Sequence, residues 1–275
     1  MQKSFIAEAA QYLQNGAAKT PRVGIVLGTG LNAFVGKIED AQAIPYDAIP
    51  HFPVSTVEFH KGSLIFGRVG KMPVVVMQGR FHYYEGYSMQ QISFPVRVMK
   101  ELGIEYLLLS NAAGGMNRDF KKGDLVIVED HINLLPDNPL RGLGAEFGNR
   151  FVDMSEPYDP ALREGIEDAL KKEGIPVKKG TYVAVMGPNL ETKAEYRWLR
   201  STGADMVGMS TVPEVIVANQ LGIKCAAISV ITDECDPDHL QPVNIAEIIE
   251  VAGKADKKLT EVFYRLVQAE SLNHV

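Results

Sequence analysis

The chain has 275 residues, 46% hydrophobic and 23% charged, the balance of an ordinary soluble globular protein and not of a fibrous or low-complexity one. Its formal net charge of -6 excludes the basic footprint of a nucleic-acid binder and gives no attraction to an anionic membrane, while leaving room for small anionic substrates held by a local group of donors. No run of about eighteen apolar residues exists to span a bilayer, and the two cysteines, Cys225 and Cys235, lack zinc-type spacing, so a cytoplasmic protein with reduced thiols is expected.

The opening MQKSFIAEAAQYLQNG places apolar residues at helical spacing, without the continuous apolar core and cleavage site of a signal peptide. RVGIVL (22–27) is the first short β-rich run, and it leads into GTGLNA (28–33), which matches the G-x-G-x-x-[GA] dinucleotide fingerprint. That fingerprint requires a following helix and a parallel strand ending in an acid. Here PHFPVSTVEFHKG follows, then GSLIFGRV (62–69) and MPVVVMQ (72–78), separated only by Gly70 and Lys71 and therefore read as an antiparallel hairpin. What survives is a glycine-flanked turn whose N–H groups and Thr29 hydroxyl either meet an anion or merely turn the chain.

QGRFHYYEGY (78–87) begins where the hairpin ends. Arg80 suits bidentate contact with a phosphate, His82 a further hydrogen bond, and Glu85 the orientation of that imidazole; a surface ion pair is the plainer reading of each alone. A helix is expected over 89–102, then the apolar strand EYLLLSN (105–111), running into the small residues of SNAAGGMN, where either a ligand or a helix approaches the backbone closely. DLVIVED (124–130) is a further strand. A helix over 159–173 has Asp159 as cap, Pro160 at its first position and Gly174 past its last turn. TYVAVMG (181–187) leads to GPNLET, with a helix expected from Leu190 to Ser201; Glu191 suits either a nucleobase edge or the helix dipole. DMVGMS (205–210) repeats the pattern of strand, then Ser210 and Thr211 at a helix start over 213–221. KCAAISVIT (224–232) is the last strand, and Asn244 caps a long helix to Gln268.

Several strands are apolar throughout, the mark of burial on both faces. Alternating with helices and without linkers or repeats, they predict a single α/β domain over 1–275 with a mixed central sheet.

Five segments in this order and spacing, QGRFHYYEGY, SNAAGGMN, HINLLPDNPLRG, GPNLETKAEYR and VGMSTVPEVIVA, resemble purine nucleoside phosphorylases of the trimeric, low-molecular-mass class, from about residue 20 to the C-terminus. The resemblance implies a partly barrel-like mixed sheet flanked by helices, a homotrimer, and phosphorolysis of purine (2'-deoxy)ribonucleosides such as inosine and guanosine, with inorganic phosphate as co-substrate and no metal or organic cofactor. It places phosphate on Thr29, His60, Arg80, His82, the Ala112 N–H and Ser210. The pentose falls on Tyr84, Met209 and Phe151, the last lent by a neighbouring subunit. The purine falls on Ala112, Ala113, Gly114, Leu190, Glu191, Val207 and Asp233, and the chemistry on His82, Glu191 and Asp233.

Two positions depart from the 6-oxopurine pattern. Asp233 stands where those members have Asn, and Ile245 where a His usually meets the 5'-hydroxyl; both are similar to methylthioadenosine phosphorylases, which leaves 5'-methylthioadenosine or adenosine as alternative substrates. Asp233 belongs to TDECDPDH (232–239), whose acids, thiol and imidazole suggest a metal by composition but lack a metal-binding spacing. Asp236, Asp238 and His239 are read there as solvated loop residues, Cys235 as an incidental thiol.

Overall fold

The computed structural model describes residues 1–16, 20–54, 62–242 and 244–269. The elements are α1 (Lys3–Gly16), β1 (Val23–Leu27), β2 (Glu39–Pro45), β3 (Ser63–Val69), β4 (Met72–Gln78), α2 (Met89–Glu101), β5 (Tyr106–Gly115), β6 (Leu125–Asn133), α3 (Pro160–Lys172), β7 (Lys178–Ala184), α4 (Lys193–Ser201), β8 (Met206–Gly208), α5 (Val212–Gln220), β9 (Lys224–Glu234) and α6 (Ile245–Gln268).

All nine strands join one sheet in the order β2-β3-β4-β1-β5-β8-β7-β6-β9, and β9 also pairs with β5. That second pairing closes β5, β8, β7, β6 and β9 into a ring, from which β1, β4, β3 and β2 extend as an open wing. The sheet is mixed: β1 is parallel to β4 and β5, whereas β3–β4, β2–β3, β5–β8 and β6–β9 are antiparallel. The foreseen hairpin is present, with Val69 opposite Met72 and Gly70 at φ +60°.

Burial on both faces follows from the strand period of two. Val23, Ile25 and Leu27 of β1, Val74 and Val76 of β4, and Tyr106 and Leu108 of β5 enter one core with α3 and α6. Val26, Val75, Met77, Leu107 and Leu109 enter the opposite core, with α1, α2 and α5. The helix α1 contributes Ile6, Ala9, Ala10 and Leu13, a single apolar stripe at helical spacing. Helix starts are capped as the sequence predicts: Asp159 accepts from the Leu162 N–H at 3.0 Å and Asn244 from Ala246 at 3.0 Å.

Several bounds differ from expectation: β6 runs on to Asn133, β7 is Lys178–Ala184 and not 181–187, and β8 is only Met206–Gly208. β2, EDAQAIP, carries no apolar run and is almost wholly exposed, as befits an edge strand. α4 starts at Lys193 and not at Leu190, because Thr192 and Glu195 form a reciprocal capping box that fixes the first turn there. β5 does not end at Asn111 but continues through Gly115, paired with β9.

Candidate active site

The last β1–β5 pair is Val26 with Leu109, and the first β5–β8 pair is Gly114 with Val207. Between them, Ser110 to Ala113 have no strand on that side, so β5 offers a gap in the sheet into which chain ends converge. This is the switch point at which α/β sheets form clefts. Gly28 makes the gap possible: a Cβ there would lie 2.8 Å from the Ser110 carbonyl oxygen and 2.9 Å from the Asn111 Cα. The Gly28 N–H donates instead to the Ser110 hydroxyl at 3.1 Å.

The resulting cleft, about 720 Å³ including its open mouth, is lined from every converging end. Gly28 and Thr29 follow β1, Arg80, His82 and Tyr84 follow β4, and Asn111 to Gly114 belong to β5. Leu190 and Glu191 precede α4, Val207 to Ser210 end β8, and Thr232 and Asp233 end β9. Thus thirteen of the fifteen residues named from the sequence meet in one cavity. His60 lies outside the described residues. Phe151 does not line this cleft; it stands 85% exposed on a loop elsewhere.

Arg80 is the polar centre. It is 1% exposed, and its four terminal N–H groups are all engaged: Nη1 donates to the hydroxyls of Ser210 (3.0 Å) and Thr211 (2.9 Å), and Nη2 to the carbonyls of Val26 (3.2 Å) and Ser110 (2.6 Å). Its Nε faces the buried Glu214 carboxylate at 3.9 Å. The open bidentate fork foreseen from sequence is therefore not presented here; Arg80 reaches the cleft floor mainly through Ser210. Thr211 holds φ +72°, rare for a β-branched residue, and makes no helix-capping bond. Its hydroxyl accepts instead from Arg80 and from the Asn111 amide at 2.9 Å. Strain kept at such a position marks a site whose surroundings over-determine it.

His82 is 6% exposed, and Glu85 fixes it as the sequence suggested: one carboxylate oxygen lies 2.8 Å from both its Nδ1 and its backbone N. The imidazole therefore carries a proton on Nδ1. Tyr84 stacks on the ring at 4.8 Å, and burial pushes its phenol up to about 12. The turn after Thr29 is tied to α6, where the buried Asp256 carboxylate accepts from the Ala33 N–H at 2.6 Å.

The opposite end of the cleft is acidic. Burial above all, and then the charge of Asp233, push the Glu191 carboxyl above its ordinary range, while a hydrogen bond from Tyr196 pulls against them. Asp233 receives the Cys235 thiol at 3.1 Å and the Thr232 hydroxyl at 3.2 Å. Cys235 is thus no incidental thiol: it is 1% exposed and bonded to a cleft carboxylate. The rest of TDECDPDH is the surface loop expected, with Asp236 paired to His239 at 2.8 Å and Asp238 to Arg197 at 2.9 Å. Among the described residues, no group of three or more His, Cys, Asp or Glu is placed to hold a metal. Ile245 is 54% exposed and does not line the cleft; Ile248, one turn further along α6, does.

Sequence reading missed Tyr196, Thr232, Ile248 and the role of Thr211. Tyr196 and Ile248 look like ordinary core positions in their helices. Thr211 was visible only as a helix cap.

Phe151 is presented by a braced loop. Asn149 brackets it with two bonds, to its carbonyl at 2.8 Å and from its N–H at 3.1 Å. Gln220 donates to the Asn149 carbonyl at 3.0 Å, and the buried Arg97 donates to Gln220 at 2.6 Å.

A donor-rich end built on Arg80 and His82, and an acidic end built on Glu191 and Asp233, line one cavity. Over residues 22–268 the chain matches the phosphorylase superfamily. It is 47% identical to purine nucleoside phosphorylase 1 of Bacillus subtilis, covering 97% of each chain, and 44% identical to the purine nucleoside phosphorylase of Bos taurus, covering 95% of this chain and 93% of that one. The solved structure of a schistosoma purine nucleoside phosphorylase in complex with hypoxanthine matches with a TM-score of 0.91 at 39% identity over 97% of both chains. The Schistosoma mansoni enzyme in complex with adenosine matches equally, with TM-score 0.91 and 39% identity over 97% of both chains. The chain belongs to the purine nucleoside phosphorylase family.

Proposed function

We propose that the whole chain acts as one catalytic domain that cleaves the N-glycosidic bond of purine (2'-deoxy)ribonucleosides, inosine and guanosine foremost, with phosphate as the attacking group. The observation that carries this reading is the polarity of the cleft. Phosphate belongs at the end bearing Thr29, Arg80, His82, Ala112 and Ser210, where N–H and O–H donors gather. The base belongs at the end bearing Ala113, Gly114, Leu190, Glu191, Val207 and Asp233, and the pentose lies between, against Tyr84 and Met209.

A phosphate oxygen attacks C1' as the C1'–N9 bond breaks, and the bonding pair leaves with the purine. Positive charge grows on the sugar and negative charge on the base, as in glycoside cleavage. Holding phosphate beneath C1' contributes by proximity. Ser210 and His82 orient it, and the Glu191 carboxylate accepts from the N1–H of a 6-oxopurine, gripping the base while it departs. Phosphate serves as co-substrate in this scheme, which draws on no other cofactor. The absence, among the described residues, of a helix long and apolar enough to cross a membrane is compatible with the cytoplasmic setting in which such salvage chemistry would run.

Comparing kcat/KM for inosine, guanosine, adenosine and 5'-methylthioadenosine at saturating phosphate tests the reading. Inosine and guanosine are expected to lead; a wide margin for methylthioadenosine would overturn the assignment. Asp233→Asn is expected to shift the ratio of inosine to adenosine turnover toward inosine by about tenfold, since an amide donates to O6 where a carboxylate repels it. An unchanged ratio would remove Asp233 from base selection.

The exposure of Phe151 on a braced loop supports a homotrimer in which this ring closes the pentose site of the next subunit. Sedimentation at the mass of three chains is expected, with Phe151→Ala raising KM for the nucleoside. A monomer of full activity would contradict it.

A further inference from the structure

We propose that Thr232 and Cys235 are positioning residues that clamp Asp233 as a hydrogen-bond acceptor at the base end of the cleft, and so set the relative affinity of the site for 6-amino and 6-oxo purines. This deepens, and rests on, the placement of the base beside Asp233.

The clamp begins with a slip in the sheet. Ala113 pairs with Ile231 but Gly114 pairs with Asp233, so Thr232 is the extra residue of a β-bulge. In a regular strand, neighbouring side chains point to opposite faces. Here the bulge lets both Thr232 and Asp233 line the same cleft. The Thr232 hydroxyl lies 3.3 Å from the Ala113 carbonyl and 3.2 Å from Asp233 Oδ1, its single proton shared between two acceptors.

Cys235 supplies the dedicated donor, with Sγ 3.1 Å from Asp233 Oδ2. Its own place is fixed on two sides. The Cys235 N–H donates to the Gly115 carbonyl at 2.8 Å, and the sulfur fills the space over Gly114, where a Cβ would lie 2.6 Å away. Burial first, then the Asp233 charge, push this thiol well above its usual range, so it keeps its proton and donates. Tyr196 shares the buried cluster with Cys235, and its hydroxyl is within electrostatic reach of Cys235 and Glu191. One thiol and one phenol thereby connect the two carboxylates.

With a proton offered to each oxygen, Asp233 is held to accept. Such a carboxylate attracts the 6-amino group of adenine and repels the O6 of hypoxanthine, so it narrows, without reversing, the 6-oxopurine preference set by the Glu191 contact with N1–H. The groups facing it are Glu191 and Tyr196 from the α4 side, Cys235 along its own chain, and Lys122 from the turn before β6. Removing the thiol frees the oxygen it holds, so the carboxylate can rotate away from the base and its repulsion of O6 is relieved.

The test is calorimetric titration of the full-length protein with free adenine and with free hypoxanthine, in wild type, Cys235→Ala, Cys235→Ser and Thr232→Val. Relative to wild type, the ratio of the two affinities is expected to move toward hypoxanthine by about tenfold in Cys235→Ala and by a few-fold in Thr232→Val, and to stay within about twofold in Cys235→Ser, which keeps a donor. A packing role alone would weaken both bases together. An unmoved ratio in Cys235→Ala and Thr232→Val, or a serine variant that behaves like alanine, overturns the clamp, as does a wild type that binds neither base. Inosine cleavage by the wild type, assayed alongside, separates the two ideas: a protein that binds both bases but never releases hypoxanthine contradicts the proposed activity, while the affinity ratios still judge the clamp.

Discussion

Replacing Arg80 with alanine is expected to lower kcat/KM for phosphate by about a thousandfold or more, a larger loss than any other single change in the cleft. The guanidinium ties together five groups: the hydroxyls of Ser210 and Thr211, the carbonyls of Val26 and Ser110, and the carboxylate of Glu214. Without it, Ser210 and Thr211 lose the donor that orients them, and Thr211 loses part of what sustains its positive φ. Glu214 would be left buried without a cation, a change that typically costs about 3–5 kcal/mol of stability. Arg80→Lys controls for folding, because it retains the charge but not the planar fork that reaches hydroxyls and carbonyls at once. The lysine variant is therefore expected to fold and still to show a KM for phosphate raised by about tenfold or more. Steady-state kinetics at varied phosphate, with a denaturation curve for each variant, decide the matter. A lysine variant with wild-type KM would place the anion elsewhere.

Glu191→Ala should reduce kcat/KM for inosine by about a hundredfold or more, because a polar site built around N1–H is left with no partner for it. Glu191→Gln retains a carbonyl acceptor and is expected to lose about tenfold. The carboxyl also gives a pH signature. Its folded-state pKa is raised, chiefly by burial, and the ionised form accepts from N1–H more strongly than the protonated one. Activity toward inosine should accordingly fall as pH drops through that raised value, at a higher pH than an ordinary carboxylate would give. The acid limb should vanish in Glu191→Gln, whose side chain does not titrate. A glutamine variant with the wild-type limb would assign it to another group.

Much of this architecture is legible in the sequence, for physical reasons that differ from place to place. The two-sided burial of β1, β4 and β5 is written in their unbroken apolar runs, and the Gly70-Lys71 break permits only a hairpin. The caps at Asp159 and Asn244 are local chemistry and emerge as local chemistry. β2 was invisible because an exposed edge strand such as EDAQAIP needs no apolar pattern. The start of α4 was misplaced because hydrophobic spacing runs back to Leu190, while the Thr192–Glu195 capping box decides the first turn.

In the cleft, residues at strand ends were legible as clusters, but their mutual arrangement was not. Nothing local to QGRFHYYEGY says that Arg80 turns inward to Ser110 and Thr211, because those partners are distant in the chain and meet only through the order of β4, β1 and β5. Cys235 seemed incidental for the same reason. Its contact with Asp233 depends on a bulge set by pairing with β5, a register that a single strand cannot reveal. The resemblance puts Ile245 where the 5'-hydroxyl is usually met, whereas the helix brings Ile248, one turn later, to the cavity.

The central claim is that phosphate, and not water, cleaves the nucleoside. Incubating the purified protein with inosine, with and without inorganic phosphate, and quantifying hypoxanthine and ribose 1-phosphate by chromatography tests it most directly. The account predicts base release only when phosphate is present, with one ribose 1-phosphate formed per hypoxanthine. Release at equal rate without phosphate, with free ribose as the sugar product, would contradict it.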